Sequence, residues 1–194
     1  MKTHVLKGIA VLMGLLALGC NEPKDTTEAG DGYESQAELT DRIERGRYLV
    51  NVLGCTDCHS PKIMTARGPE SDPDRFLSGH DENETLPGYD LAITKSFVLF
   101  NMNGTAVVGP WGTSFAANLT PDDTGIGTWS EAQFLKAIKE GKFKGLDGSR
   151  SLLPPMPWQS YSHMPNEDLK AVFAYLKSIK PVENVVPAAI APGS

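Results

Sequence analysis

Cys55-Thr56-Asp57-Cys58-His59 is a Cys-x-x-Cys-His pentapeptide, the pattern that attaches a c-type haem covalently. The spacing carries the chemistry. Two thiols three residues apart on a helical turn reach the two vinyl groups of one porphyrin and form thioethers. The next residue, His59, then sits under the iron as its proximal ligand. A bare Cys-x-x-Cys leaves zinc binding or thiol redox chemistry open, and the adjoining His favours haem. A structural zinc site wants four Cys or His ligands. The chain has three cysteines, and the third, Cys20, stands alone. A thioredoxin-like site would need a βαβ pattern around the pair, and none is legible there.

Upstream, Lys2 and Lys7 flank the start of an apolar run from Gly8 to Gly19 that ends Leu16-Ala17-Leu18-Gly19-Cys20. The run has the length of a signal-peptide core and is short for a bilayer span. It resembles a bacterial lipobox, with Ala17 where such boxes usually carry Leu. Residues 1–19 therefore read as a lipoprotein-type signal peptide, and Cys20 reads as the lipidated residue of the exported chain. Asn21 rather than Asp after the cysteine weakly favours the outer membrane. Residues 20–35 are polar, with little apolar surface to bury, and read as a flexible tether. Residues 36–181 then form one domain. Residues 182–194, with two prolines and no periodicity, read as a C-terminal tail lying extended or loose.

Eighteen basic and 24 acidic side chains give a net charge of −6. Loss of residues 1–19 would remove Lys2 and Lys7 and no acid, which makes the chain more acidic still. That balance argues against nucleic acid or anionic lipid as a partner. It is compatible with a basic docking face on another protein.

Within the domain, Ser35-x-x-Glu38 is a capping box that predicts a helix running to Gly54, with Leu39, Ile43 and Val50 on one face. Gly46 in its middle costs about 1 kcal/mol relative to Ala, and a close helix crossing would account for it. Residues 60–129 carry few helix signals. Arg67-Gly68-Pro69 is turn material. Phe97–Phe100, Asn103-Gly104 and Thr105–Val108 predict a small β-hairpin. Ser130-x-x-Gln133 is a second capping box and opens a short helix that stops at Gly141. A last helix is predicted over 166–180, with Leu169, Val172, Phe173, Leu176 and Ile179 as its apolar stripe.

Haem iron has a second axial position, which electron carriers fill with Met or His. Met156 lies in Leu152-Leu153-Pro154-Pro155-Met156-Pro157-Trp158, where prolines on both sides stiffen the backbone. It is the leading candidate for the sixth ligand. Met164, His80, His163 and an open site remain alternatives. His80 and His163 otherwise read as surface residues.

At this point the chain resembles the class I cytochromes c, in particular the single-haem cytochromes that serve as electron-transfer subunits of bacterial periplasmic dehydrogenases. The resemblance rests on Arg45-Gly-Arg-Tyr-Leu-Val50 running into Cys55–Pro61, on Ala117–Asp122 with Gly125–Trp129, on Pro155-Met-Pro-Trp158, and on Glu167-Asp-Leu with Ala174-Tyr-Leu176. It implies a mainly α, cytochrome c-like orthogonal helix fold around one covalent haem c, with long loops and the small β-hairpin as an insertion away from the ligands. It puts Gly46, Tyr48 and Tyr175 at the crossing of the first and last helices and makes Met156 the distal ligand. A Gly-Pro carbonyl, here Gly68-Pro69, is the implied acceptor for the proximal His N–H. Trp129 and Asn118 are implied candidates for hydrogen bonding a propionate. The expected function is single-electron transfer on the periplasmic side of a bacterial membrane, not catalysis, with a dehydrogenase or terminal acceptor as redox partner. The alternative is a haem sensor or gas-binding module whose sixth ligand is displaceable.

Overall fold

The computed structural model describes residues 34–193. Cys20, the predicted signal peptide over 1–19 and most of the predicted tether lie outside the described residues. No helix among the described residues is long and apolar enough to cross a membrane.

The first helix, α1, spans Gln36–Val52. Its start is the predicted capping box: the Glu38 amide donates to Ser35 Oγ at 3.3 Å, and the Ser35 amide donates back to Glu38 Oε2 at 2.8 Å. Two orphan donors of the first turn are satisfied in this way. The helix ends at Gly54, whose φ of 69° is the left-handed conformation that glycine adopts without steric cost. A five-residue helix, α2, follows over Cys55–His59. Two antiparallel strands, β1 (Lys62–Thr65) and β2 (Gly68–Ser71), make a first hairpin. A three-stranded antiparallel sheet comes next, with β3 (Leu99–Phe100), β4 (Ala106–Gly109) and β5 (Gly112–Phe115) in sequence order. The α-helices that follow are α3 (Glu131–Lys139), the single turn α4 (Trp158–Tyr161) and α5 (Asn166–Ser178). Among the described residues, five α-helices and two small sheets give the mainly helical architecture that was expected.

The predicted hairpin is β3–β4, and β5 extends it into a sheet. The turn at Gly68 closes a second hairpin, because Thr65 faces Gly68 across a two-residue loop. The strands β2 and β5 escape a sequence reading. Each is four residues long and begins with a glycine.

α1 and α5 pack directly against each other. A Cβ built on Gly46 would stand 1.9 Å from the Ala171 carbonyl oxygen and 2.8 Å from Tyr175 Cβ. Only glycine lets the two backbones approach this closely, which explains a residue that costs the isolated helix stability. Tyr175 is thus at the crossing. Tyr48, expected there too, is 56% exposed, since two residues beyond Gly46 is roughly the opposite side of a helix. Below the crossing, Leu49 and Val50 join Leu169, Val172, Phe173 and Leu176 of α5, with Phe134 of α3 and Ile126, in one apolar core. The Phe134 and Phe173 rings lie 5.2 Å apart.

The tail is extended but firmly held. Asn184 is buried, and its amide donates to the Ser78 and His80 carbonyls at 2.7 and 2.8 Å. Ile190 exchanges backbone hydrogen bonds with Thr113 on β5.

His80, expected at the surface, is fully buried. Its ring lies against Phe115 with centroids 4.7 Å apart. Nδ1 lies 3.0 Å from Thr105 Oγ1, and Nε2 has no hydrogen-bond partner. Burial beside Thr105, Phe115 of β5 and the tail pushes its pKa below the ordinary 6.5, outweighing the opposing attraction of Glu84 and Asp81.

Gly46→Ala should cost about 3 kcal/mol or more of unfolding free energy, measured by denaturant titration, because the new methyl meets backbone rather than a movable side chain. His80 is neutral in the fold and binds a proton more readily once unfolded. Stability should therefore fall as pH drops below about 6.5, and the loss ends once the folded protein also takes up the proton. His80→Gln should flatten that part of the stability–pH curve.

Candidate functional site

The pentapeptide forms a helical turn because Gly54 reverses the chain immediately before it and the last carbonyls of α2 are capped by a cation. Lys62 Nζ donates to the Thr56 and Asp57 carbonyls, each at 3.0 Å, and to Ser60 O. An ammonium at a helix C-terminus satisfies orphan carbonyls and complements the dipole. The Lys62 amide donates in turn to Asn103 Oδ1 at 3.1 Å, in the turn between β3 and β4. A Cβ on Gly104 would approach Asp57 O to 2.9 Å. The sheet expected to sit apart from the site therefore braces it.

Cys55 and Cys58 are half-buried and unbridged. Burial pushes the Cys55 thiol up to about 11 and raises that of Cys58 as well, so both are protonated at neutral pH rather than poised as thiolate nucleophiles. Among the described residues no group of three or more His, Cys, Asp and Glu converges as a metal-binding cluster, and a protein-only zinc site thus has no ligand set there.

His59 is held from two directions. Its carbonyl accepts the Gly79 amide at 2.8 Å. Its Nδ1 stands 2.8 Å from the Ala117 carbonyl oxygen. A carbonyl only accepts, so Nδ1 carries the proton and Nε2 presents a lone pair, the tautomer a metal-bound imidazole requires. Burial lowers the pKa of the ring, with desolvation the largest cause, which keeps it neutral. The acceptor expected at Gly68-Pro69 lies elsewhere. Gly68 O accepts from Thr65 Oγ1 at 3.0 Å inside the β1–β2 hairpin, where Pro69 faces Met64. The segment after β5 takes that role instead. Ala116 and Ala117 lie against Gly79, where a Cβ would approach Ala116 O to 2.5 Å.

Asn118, expected as a possible propionate donor, is fully engaged in the loop. It donates to Thr124 Oγ1 and Val182 O and accepts from Thr120. Trp129 lies on the cavity wall.

A cavity of about 1070 Å³ opens beside α2. Cys55, Cys58 and His59 line it, as do Phe100, Val107 and Phe115 of the sheet, Phe134, Ala137 and Ile138 of α3, and Leu169, Val172 and Leu176 of α5. Met156 and Met164 are on the same lining. Its size is at the upper end of ordinary small-molecule sites, and its walls are chiefly apolar. The donor set and the cavity suit a large flat hydrophobic cofactor held through two thiols and one imidazole. Tail residues Val185–Ala189 complete one wall, a contribution that no periodicity in the sequence announces.

The loop that bears Met156 is tied down on both sides. Ser114 Oγ on β5 donates to Pro154 O at 2.6 Å, and Leu152 N donates to Gly141 O at 2.7 Å. Tyr161 on α4 donates through its hydroxyl to Leu53 O at 2.8 Å, which joins the loop's far end to the start of the pentapeptide. Met164 packs against the core as well. Met64 and Met102 are 74% and 88% exposed and do not reach the cavity lining. His163 is exposed and His80 is not on the lining.

No family model matches the chain. It is 43% identical over 142 residues to the cytochrome c subunit of a quinone-type alcohol dehydrogenase from Gluconacetobacter polyoxogenes, a stretch covering 72% of this chain and 22% of that protein. It is 29% identical over 183 residues to the fructose dehydrogenase cytochrome subunit of Gluconobacter japonicus, covering 92% of this chain and 29% of the relative. A nicotinate dehydrogenase component of Pseudomonas putida matches at 43% identity over 89 residues, 45% of this chain and 7% of that protein. The chain thus spans less than a third of the length of these relatives. Two of these relatives are named as cytochrome subunits of dehydrogenases, and the similarities support a cytochrome c family.

The Ala117 bond gives a direct test of how His59 is held. Replacing the Ala117–Asn118 amide by an ester, through semisynthesis, weakens the Ala117 carbonyl as an acceptor. The His59 Nδ1 proton should then exchange with solvent measurably faster by NMR, while the fold is retained.

Proposed function

We propose that this chain is a monohaem c-type cytochrome that carries single electrons between redox partners outside the cytoplasm. Cys55 and Cys58 form the two thioethers. His59 is the proximal iron ligand and Met156 the distal one. The observation that carries the reading is that all four side chains line one apolar cavity, with His59 already in the ligating tautomer.

A haem bound there supplies a one-electron iron couple. The protein's part is to hold the site still. Ala117 O fixes the rotation and tautomer of His59, and the proline-braced, doubly anchored loop fixes Met156. The side chains of α3, α5 and the sheet exclude water. With His59 and Met156 both available to hold the iron, the arrangement would favour outer-sphere transfer over substrate chemistry. Burial and Met/His ligation raise the potential relative to bis-His ligation.

Export through the signal-type segment at 1–19 accords with the compartment in which c-type haem is attached. Lipidation at Cys20 would tether the domain to the periplasmic face of a membrane, with the outer membrane weakly favoured. Similarity to subunits named for dehydrogenases supports a dehydrogenase as electron donor.

Ferric protein should show the weak long-wavelength absorption that marks sulfur ligation to haem iron. Met156→Ala should abolish it, lower the midpoint potential and allow rapid CO binding in the ferrous state. Persistence of the band in that variant would move the ligand to Met164, and rapid CO binding by the wild type would favour a sensor. Separately, Cys20→Ser should shift the protein from the membrane to the soluble fraction, and unchanged fractionation would remove the lipid anchor.

A further inference from the structure

Lys144 and Arg150 are the only Lys or Arg side chains on the cavity lining among the described residues, in a chain of net charge −6. They meet at one ring. The Arg150 guanidinium carbon lies 3.9 Å from the centroid of Phe143, and Lys144 Nζ lies 5.7 Å from the same centroid. Among the described residues neither forms an ion pair with a carboxylate. A nearby cation does: Lys136 pairs with Asp147, four residues from Phe143. Arg150 Nη1 donates only to the adjacent Ser151 carbonyl, at 2.9 Å, which leaves most of its five-donor fork unused.

The loop that presents them is braced at several points. Phe143 N donates to Arg150 O at 2.9 Å, and Lys142 and Ser151 form an antiparallel bridge. Lys144 has φ 55°, a left-handed conformation uncommon for a residue with a Cβ. It is held there because Gln133 Nε2 of α3 donates to Lys144 O at 2.8 Å. The same bond explains why Ser130 caps α3 without the reciprocal half of a capping box: the Gln133 side chain is used on this loop instead. A Cβ on Gly145 would lie 2.1 Å from Gln133 O. The surrounding bonds hold Lys144 in this uncommon conformation and fix where the two side chains leave the backbone.

Resting on the haem reading above, we infer that Arg150, seconded by Lys144, is the anchor for the haem propionate carboxylates. A planar guanidinium binds a carboxylate through two parallel N–H···O bonds, and stacking on Phe143 pre-orients that plane. Arg150 is exposed to solvent, and the burial it does have lowers its pKa, a shift that a facing carboxylate would oppose. The positive charge keeps the propionates ionised and stabilises the reduced iron, so Arg150 acts on the potential without touching the metal.

The test uses haem-loaded wild type, Arg150→Gln, Arg150→Lys and Lys144→Gln, each with the midpoint potential titrated from mildly acidic to mildly alkaline pH. Loss of a cation beside a carboxylate raises that carboxylate's pKa by about one unit or more. Arg150→Gln should therefore lower the potential at neutral pH and move the pH-dependent step upward by about one pH unit. Arg150→Lys should keep the charge but lose the fork, with an intermediate shift, and Lys144→Gln should show a smaller one. Unchanged haem absorption confirms that each variant is folded. Potential–pH curves that superimpose on the wild type would overturn the inference and leave the two cations as a solvent- or partner-facing pair. A wild type that carries no covalent haem would show a different failure, that of the electron-carrier reading itself.

Discussion

The hydrogen bond from His59 Nδ1 to Ala117 O, at 2.8 Å, is the constraint around which the rest is arranged. It sets the tautomer of the imidazole, and it depends on elements far apart in sequence. Ala117 is positioned by β5 and by close packing on Gly79. Gly79 donates to the carbonyl of His59 itself. The sheet also reaches the other end of α2 through Asn103 and Lys62. The three-stranded insertion is therefore part of the machinery that shapes the surroundings of His59. A bond of this kind is worth about 1 kcal/mol in net stability. Its larger consequence is positional, because hydrogen bonds behind a ligand orient it and tune its basicity.

The side of the cavity that bears Met156, the proposed distal ligand, uses a different device. Pro154, Pro155 and Pro157 restrict the backbone around Met156, and Ser114 Oγ fixes the loop to β5. Both faces of the cavity are thus positioned by the same strand: Ser114 reaches the Met156 loop, and the chain just past Phe115 reaches His59. A strand that spaces the two faces would suit the proposed electron-carrying role, in which the coordination should change little when the charge changes.

Features fixed by local chemistry were legible in the sequence. The Ser35–Glu38 box, the Ser130 cap, the apolar stripe of α5 and the pentapeptide each depend on neighbours within a turn or two. Gly46 was legible through its cost, since a glycine mid-helix needs a tertiary reason and Ala171 is that reason. What stayed hidden was tertiary in origin. Ala117 acts through a carbonyl, a group that every residue carries. His80 became a buried residue only because Thr105, Phe115 of β5 and the tail close over it. Gln133 looked like the partner in a capping box, and its amide instead holds Lys144. The tail shows no periodicity, yet Asn184 pins it through two carbonyls.

The central claim is that the turn from Cys55 to His59 holds one haem by two thioether bonds inside the cavity. Intact-mass measurement under denaturing conditions, on protein produced with the c-type haem attachment machinery, tests it most directly. A single species heavier by one haem is predicted, with loss of that adduct when Cys55 and Cys58 are both replaced by Ala. A chain of unmodified mass, or a haem that dissociates on denaturation, would contradict it.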